Sequence, residues 1–428
     1  MPGPPAPKAP RHVRASDLRA AARLATSATR GTTRIVEGVH QSVWRSMGLS
    51  GGARSERTRG LTGWVYRCVD GITSAVGLGI DTALARLEPL FGAMDAAPPQ
   101  SPQRLAVLAA LNGVIGDRLL ADGNPLALPM TLQLDGHTLD PDRPAAAAAV
   151  GAKLLLLVHG LCMNDQQWQT WRKAPDGSLA PGLDHGQALA QAQGFTPLYL
   201  RYNTGRHVAD NGRELSDLLQ RLLAAWPEPV HELVVVAHSM GGLVTRSAVH
   251  QAQLRGQDWT ARLTRIVFLG TPHHGAPLER AGSWIDQLLG STRWSAPFAR
   301  LARLRSSGIT DLRHGRVRDD DGVGPDRFNS PSDTRRHLPL PTGVACLAVA
   351  ATLAGRRSLL AERLLGDGLV PLRSALGQHD DPARSLAFGP HDQTIAYRTG
   401  HMQLLSDPAV GRAVAEWLAR KSTADRPG

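Results

Sequence analysis

At 428 residues and 42% hydrophobic content, the chain exceeds one typical domain and can bury a sizeable core, which fits one large domain with an N-terminal extension. Its 48 Lys and Arg exceed its 37 Asp and Glu, for a net charge of +11. No nucleic-acid motif or interleaved aromatic and basic pattern accompanies that surplus, which excludes nucleic-acid binding and leaves an anionic membrane surface or a solvated basic face. Three cysteines, Cys68, Cys162 and Cys346, stand at no metal or redox spacing, so a disulfide framework is not expected.

Residues 1–30 open on a Pro-rich tract and continue as a basic segment without an apolar core of signal-peptide length. Arg19, Arg23 and Arg30 share one helical face, which suits an anionic surface, although a flexible solvated arm has the same composition. Residues 31–145 read as a helical extension, with Val65, Val69, Ile72 and Val76 along one apolar face. Asp81, Arg86 and Glu88 interrupt its most apolar stretch, and no unbroken run of about 20 apolar residues exists. No membrane span is therefore expected, and the location read from the sequence is cytoplasmic or peripheral at a membrane. Residues 103–120 form a further helix, 130–134 alternate as an edge strand, and 140–149 read as a linker.

Residues 146–420 carry the chemistry. The run Lys153 to Val158 is a buried strand that ends in His159-Gly160-Leu161. Further strands at 196–202, 265–269 and 344–353 alternate with helical patterns, which predicts a mostly parallel sheet with helices on both faces. Val234-Val235-Val236 stops at Ala237-His238-Ser239-Met240-Gly241, a strand-to-helix turn with small residues two positions either side of a serine. Ser239 on such a turn is a candidate nucleophile; the same hydroxyl could instead cap the next helix. Residues 277–341 form a long insertion whose apolar stripe, Trp284 to Leu301, suits either a lid or docking on the core. Asp319, Asp320 and Asp321 lack calcium-loop spacing and read as a solvated turn. Asp367, between glycines, and His401 follow in the chain order that a Ser, acid, base triad requires. Taken singly, Asp367 is an ordinary Asp-Gly turn. Residues 421–428 are expected to form a flexible tail.

Five segments, HGL at 159–161, AHSMGG at 237–242, FLGTPHHGAP at 268–277, GDGLVP at 366–371 and GHMQLLSDP at 400–408, resemble the alpha/beta-hydrolase superfamily. Within it they look like the bacterial lipase and esterase branch, including the group related to glycosylphosphatidylinositol inositol-deacylases. The resemblance implies Ser239 as nucleophile, Asp367 as acid and His401 as base, with the N–H groups of Leu161 and Met240 holding the oxyanion. It implies a serine ester hydrolase that forms an acyl-enzyme on a small acyl ester or lipid, with no cofactor and no metal. Acyl transfer, lipid deacylation and a non-catalytic lipid-binding role share the same fold. His159 is expected to orient its loop, Cys162 to pack as a small hydrophobe, and adjacent His273 and His274 to point apart. Glu279 is the substitute acid should Asp367 not serve.

Overall fold

The computed structural model describes residues 23, 102–144, 151–169, 171–173, 179–276, 306–321, 335–355 and 366–420. The arm at 1–30 apart from Arg23, the extension up to residue 101, Glu279, the stripe from Trp284 to Leu301 and the tail at 421–428 lie outside the described residues. The chain divides into two compact units, residues 1–104 with 119–127, and residues 105–118 with 128–428.

The described elements are helix α1 (Pro102–Ala121), strands β1 (Thr131–Leu134), β2 (His137–Leu139), β3 (Lys153–Val158), β4 (Trp171–Lys173) and β5 (Leu179–Pro181), and helix α2 (His185–Gln193). Then come β6 (Thr196–Arg201), α3 (Val208–Ala225), β7 (Glu232–His238), α4 (Met240–Arg255), β8 (Leu263–Leu269) and α5 (Ser307–His314). The last are β9 (Ala345–Thr352), α6 (Leu372–Ala375), β10 (Gln393–Tyr397) and α7 (Pro408–Ala419). Eight strands form one sheet in the order β10-β9-β8-β7-β3-β6-β1-β2, while β4 and β5 pair separately. Every neighbour from β6 to β10 is parallel. Only the two pairs made by β1, with β6 and with β2, are antiparallel.

Continuous apolar runs form the central strands because both faces of the sheet are covered. On one face Leu155, Leu157, Val234, Val236, Val267, Leu269, Leu347 and Val349 pack with Leu189 of α2 and with Val410, Val414 and Trp417 of α7. The alternate residues Leu154, Leu156, Leu233, Val235, Ile266 and Phe268 are equally buried, on the face where α3 packs on α4 and α4 on β3 and β7. Each such Leu, Ile, Val or Phe contributes about 1.5–3 kcal/mol on burial. Caps fix where helices begin: Asp184 accepts from Gln187 N at α2, and Asp407, followed by Pro408, accepts from Ala409 and Val410 N at α7.

The expected α/β architecture, a mostly parallel sheet with helices on both faces, is therefore present. One detail differs. Residues 131–134 are not an edge strand, because β2, a three-residue strand that short-range patterning hides, pairs outside β1. Within the long insertion, α5 is docked: Asp311 accepts from Val208 N and pairs with His207 Nδ1, both at 2.9 Å. No helix among the described residues is long and apolar enough to cross a membrane. Parallel pairing brings the C-terminal ends of β3, β7, β8 and β9 to one edge of the sheet, where their loops converge.

Candidate active site

Ser239 joins β7 directly to α4 with φ 54 and ψ −123, a backbone conformation that residues with a Cβ adopt only when their surroundings enforce it. Its N–H donates to Leu269 O at 2.8 Å, and its carbonyl accepts from Gly242 N at 3.0 Å. The side chain makes no capping hydrogen bond to α4, so the capping role is not the one it performs. Crowding explains the small neighbours. A Cβ on Gly241 would lie 2.5 Å from Val158 O and 2.7 Å from His159 O, and one on Gly242 would lie 2.0 Å from Thr271 Oγ1. Ala237 is wholly buried.

Asp367 stands on the loop between β9 and α6 with both carboxylate oxygens engaged. Oδ1 accepts from Leu369 N at 2.9 Å and Val370 N at 2.7 Å. Oδ2 lies 2.6 Å from His401 Nδ1, and the two loops are tied again by His401 N donating to Asp367 O at 3.1 Å. Both residues are 3% exposed. A carboxylate on Nδ1 fixes that nitrogen as the N–H, which leaves the lone pair on Nε2. Ser239 and this pair meet through Leu269 and Gly270: the first accepts the serine N–H, and a Cβ on the second would lie 3.1 Å from His401 Nδ1 and Cε1.

Sequence reasoning missed His238. Its ring lies 4.6 Å from that of His401, and its Nε2–H donates to His401 O at 3.2 Å. Burial, and then the neighbouring His401, hold its pKa well below the ordinary histidine value. It is a neutral backing for the imidazole in front of it.

The turn after β3 abuts the serine, since a Cβ on Gly160 would come 3.0 Å from Ser239 Cβ. Residues at the end of β6 anchor that turn at three points. Arg201 holds Asp165 bidentately at 2.6 and 3.0 Å, Tyr202 OH donates to His159 O at 2.8 Å, and Thr204 Oγ1 accepts from Cys162 N at 3.1 Å. Cys162 needs such an anchor because its φ is 58, in the left-handed region. Nothing in the sequence marked these ties beyond the polar run Arg201-Tyr202-Asn203-Thr204 closing an apolar strand. Among the described residues neither Leu161 N–H nor Met240 N–H donates to a backbone acceptor in the turns and loops. His159 packs on Tyr202 with ring centres 4.5 Å apart, and burial lowers its pKa to about 4. Burial pushes the Cys162 thiol up to about 12, which removes it as a nucleophile at neutral pH.

His273 and His274 point apart, the first towards Arg246 Nη1 at 3.5 Å and the second with Nε2 at 3.0 Å from Gly377 O. The three successive aspartates also diverge. Asp319 accepts from Arg213 and Gln251, Asp320 from Arg318, and Asp321 from the N–H groups of Val317, Arg318 and Arg336. Among the described residues no three His, Cys, Asp or Glu side chains converge as a metal site.

A family model described as a domain of unknown function, DUF7379, matches residues 131–303. No curated protein matches the chain. Among solved structures the chain is similar to the mature Bacillus licheniformis lipase BlEst2, at 17% identity and TM-score 0.38 over 68% of this chain and 97% of that one. It is also similar to a Pyrobaculum calidifontis esterase, at 12% identity and TM-score 0.37 over 75% and 92%. Aspergillus fumigatus lipase B follows at 12% identity and TM-score 0.35 over 65% and 56%. Likeness at this level does not assign a reaction, which rests on the residues themselves.

Proposed function

We propose that the chain is a serine carboxylic ester hydrolase of the lipase and esterase type, acting on acyl esters or lipids through an acyl-enzyme. One observation carries this reading: a buried Asp367–His401 pair at 2.6 Å beside a serine held in a strained turn. Ser239 Oγ attacks the acyl carbon while His401 Nε2 takes its proton. Asp367 keeps Nδ1 protonated and stabilises the imidazolium that forms. The N–H groups of Leu161 and Met240 stabilise the oxyanion in a site from which water is largely removed. Protonation of the leaving oxygen by His401 releases the alcohol, and a water activated by the same ring then frees the acid. The proposed chemistry uses no cofactor. Likeness to the inositol-deacylase-related branch, and contact of the basic arm with an anionic membrane, are supported by the sequence alone.

The direct test is labelling with a fluorophosphonate, which reacts only with an activated serine. Wild type should be labelled and should hydrolyse p-nitrophenyl esters; Ser239→Ala should keep its circular dichroism and melting temperature and lose both. Wild-type turnover in the purified alanine variant would remove Ser239 from the mechanism.

A further inference from the structure

Arg246, on the second turn of α4, is 5% exposed, and none of its bonds goes to a carboxylate. Its Nη2 donates to Leu338 O, its Nη1 faces His273 Nδ1 at 3.5 Å, and its Nε has no acceptor. Burying a guanidinium with one of its donors left unbonded is costly, and arginine is almost never fully buried without a bonded acid beside it. The groups around it leave that Nε unbonded. Asp321 attracts Arg246 electrostatically but makes no hydrogen bond to it, since its Oδ2 accepts from Val317 and Arg318 N–H and its Oδ1 from Arg336 N–H. Cys346, close enough to interact electrostatically with Arg246, is a buried thiol pushed up to about 12 and is therefore uncharged at neutral pH.

Arg246 lies on an open cavity of about 30 Å³ that is also lined by three further arginines, Arg335, Arg336 and Arg384, by His274 and His337, and by one carboxylate, Asp321. His273, 1% exposed, also lines it. Since its Nδ1 faces a guanidinium N–H, its proton sits on Nε2, and that buried donor likewise has no acceptor. Two buried donors without acceptors and an arginine-rich rim share one small space. Room for a few water-sized atoms suits a compact tetrahedral oxyanion whose outer oxygens stay in solvent.

We propose that this cavity binds a phosphate-type oxyanion, carried either free or on a lipid headgroup, and that the anion supplies the acceptors that Arg246 Nε and His273 Nε2 lack. The site uses none of Ser239, Asp367, His401, Leu161 or Met240, so it stands or falls separately from the ester-hydrolase reading. Arginine guanidinium and phosphate oxygens form the charge-assisted pairs that make such recognition strong.

Isothermal titration of the full chain with inorganic phosphate, in a chloride background, should give one saturable site. The rim variant Arg384→Gln/His337→Gln, checked for wild-type circular dichroism, should weaken binding by at least about tenfold. Arg246→Met should fold, melt at or above the wild-type temperature in chloride, and lose the phosphate-dependent rise in melting temperature that wild type shows. Absence of saturable phosphate binding in wild type, or unchanged affinity in the folded rim variant, would overturn the proposal; the rim variant decides if Arg246→Met fails to fold. Phosphatidylcholine vesicles with and without phosphatidic acid separate the two sources. Retention on the acidic vesicles that inorganic phosphate displaces supports a headgroup; phosphate binding without retention supports a free anion.

Discussion

At the scale of single residues, Asp367 is the position where chemistry and architecture are easiest to separate. Asn at 367 can keep a carbonyl oxygen towards the N–H groups of Leu369 and Val370, which the native Oδ1 holds at 2.9 and 2.7 Å. It cannot hold His401 in the required tautomer. Asp367→Asn is therefore expected to melt within a few degrees of wild type while kcat on a soluble ester falls by about 10⁴-fold; turnover within tenfold of wild type would take the acid role away from it. Ser239, Asp367 and His401 were legible in the sequence because a strained turn, a glycine-flanked carboxylate and a fixed chain order each leave local marks. His238 was not legible. Its partner, the carbonyl of His401, lies 163 positions away, and within the motif it occupies a place that tolerates any residue.

At the scale of elements, the end of β6 sets the position of the turn after β3. Thr204→Val preserves the shape of residue 204 but leaves Cys162 N–H buried without an acceptor, at a cost of about 1–3 kcal/mol. If Leu161 N–H serves the oxyanion, loosening this turn should lower kcat more than it raises KM, and Thr204→Ser should restore both. A variant that loses stability but keeps kcat would confine Thr204 to a structural role. Apolar runs made β3, β6, β7, β8 and β9 readable because strands covered on both faces need no alternation. β2, at three residues, is too short for any periodic signal, and its existence depends on pairing with β1. The ties from Arg201, Tyr202 and Thr204 escaped for a similar reason, since polar residues closing a strand look like an ordinary loop until the neighbouring turn is in place.

At the scale of the whole molecule, several histidines are buried neutral, and the fold should be sensitive to acid. His159 falls from 6.5 to about 4, and His185, His238 and His273 are also lowered, in each case chiefly by burial. A histidine whose folded pKa is depressed binds fewer protons folded than unfolded at pH values between the two. Stability is thus fully present above about pH 6.5 and declines as the pH falls towards 4. His159 alone accounts for roughly 3 kcal/mol of that decline, at about 1.4 kcal/mol per pH unit. Melting temperatures measured from neutral pH downwards should show the loss beginning near pH 6.5, with a shallower slope in a folded His159→Asn variant. A flat profile down to pH 4 would contradict the neutral burial of these rings.

The sheet order also distributes the proposed catalytic groups unevenly. Ser239 follows β7 in the interior, whereas Asp367 and His401 sit on loops leaving β9 and β10, and β10 is the outermost strand, only partly buried along its length. Edge elements with little buried area open at low free-energy cost, ahead of global unfolding. Fraying of β10 would withdraw the base and, through the Asp367–His401 tie, unsettle the acid, leaving the serine turn and both helical layers intact. In a urea series, ester turnover should therefore vanish at a lower concentration than helical ellipticity, and β10 amides should exchange with solvent faster than those of β7. Coincident loss of activity and ellipticity would mean that the edge is locked to the core as firmly as the centre.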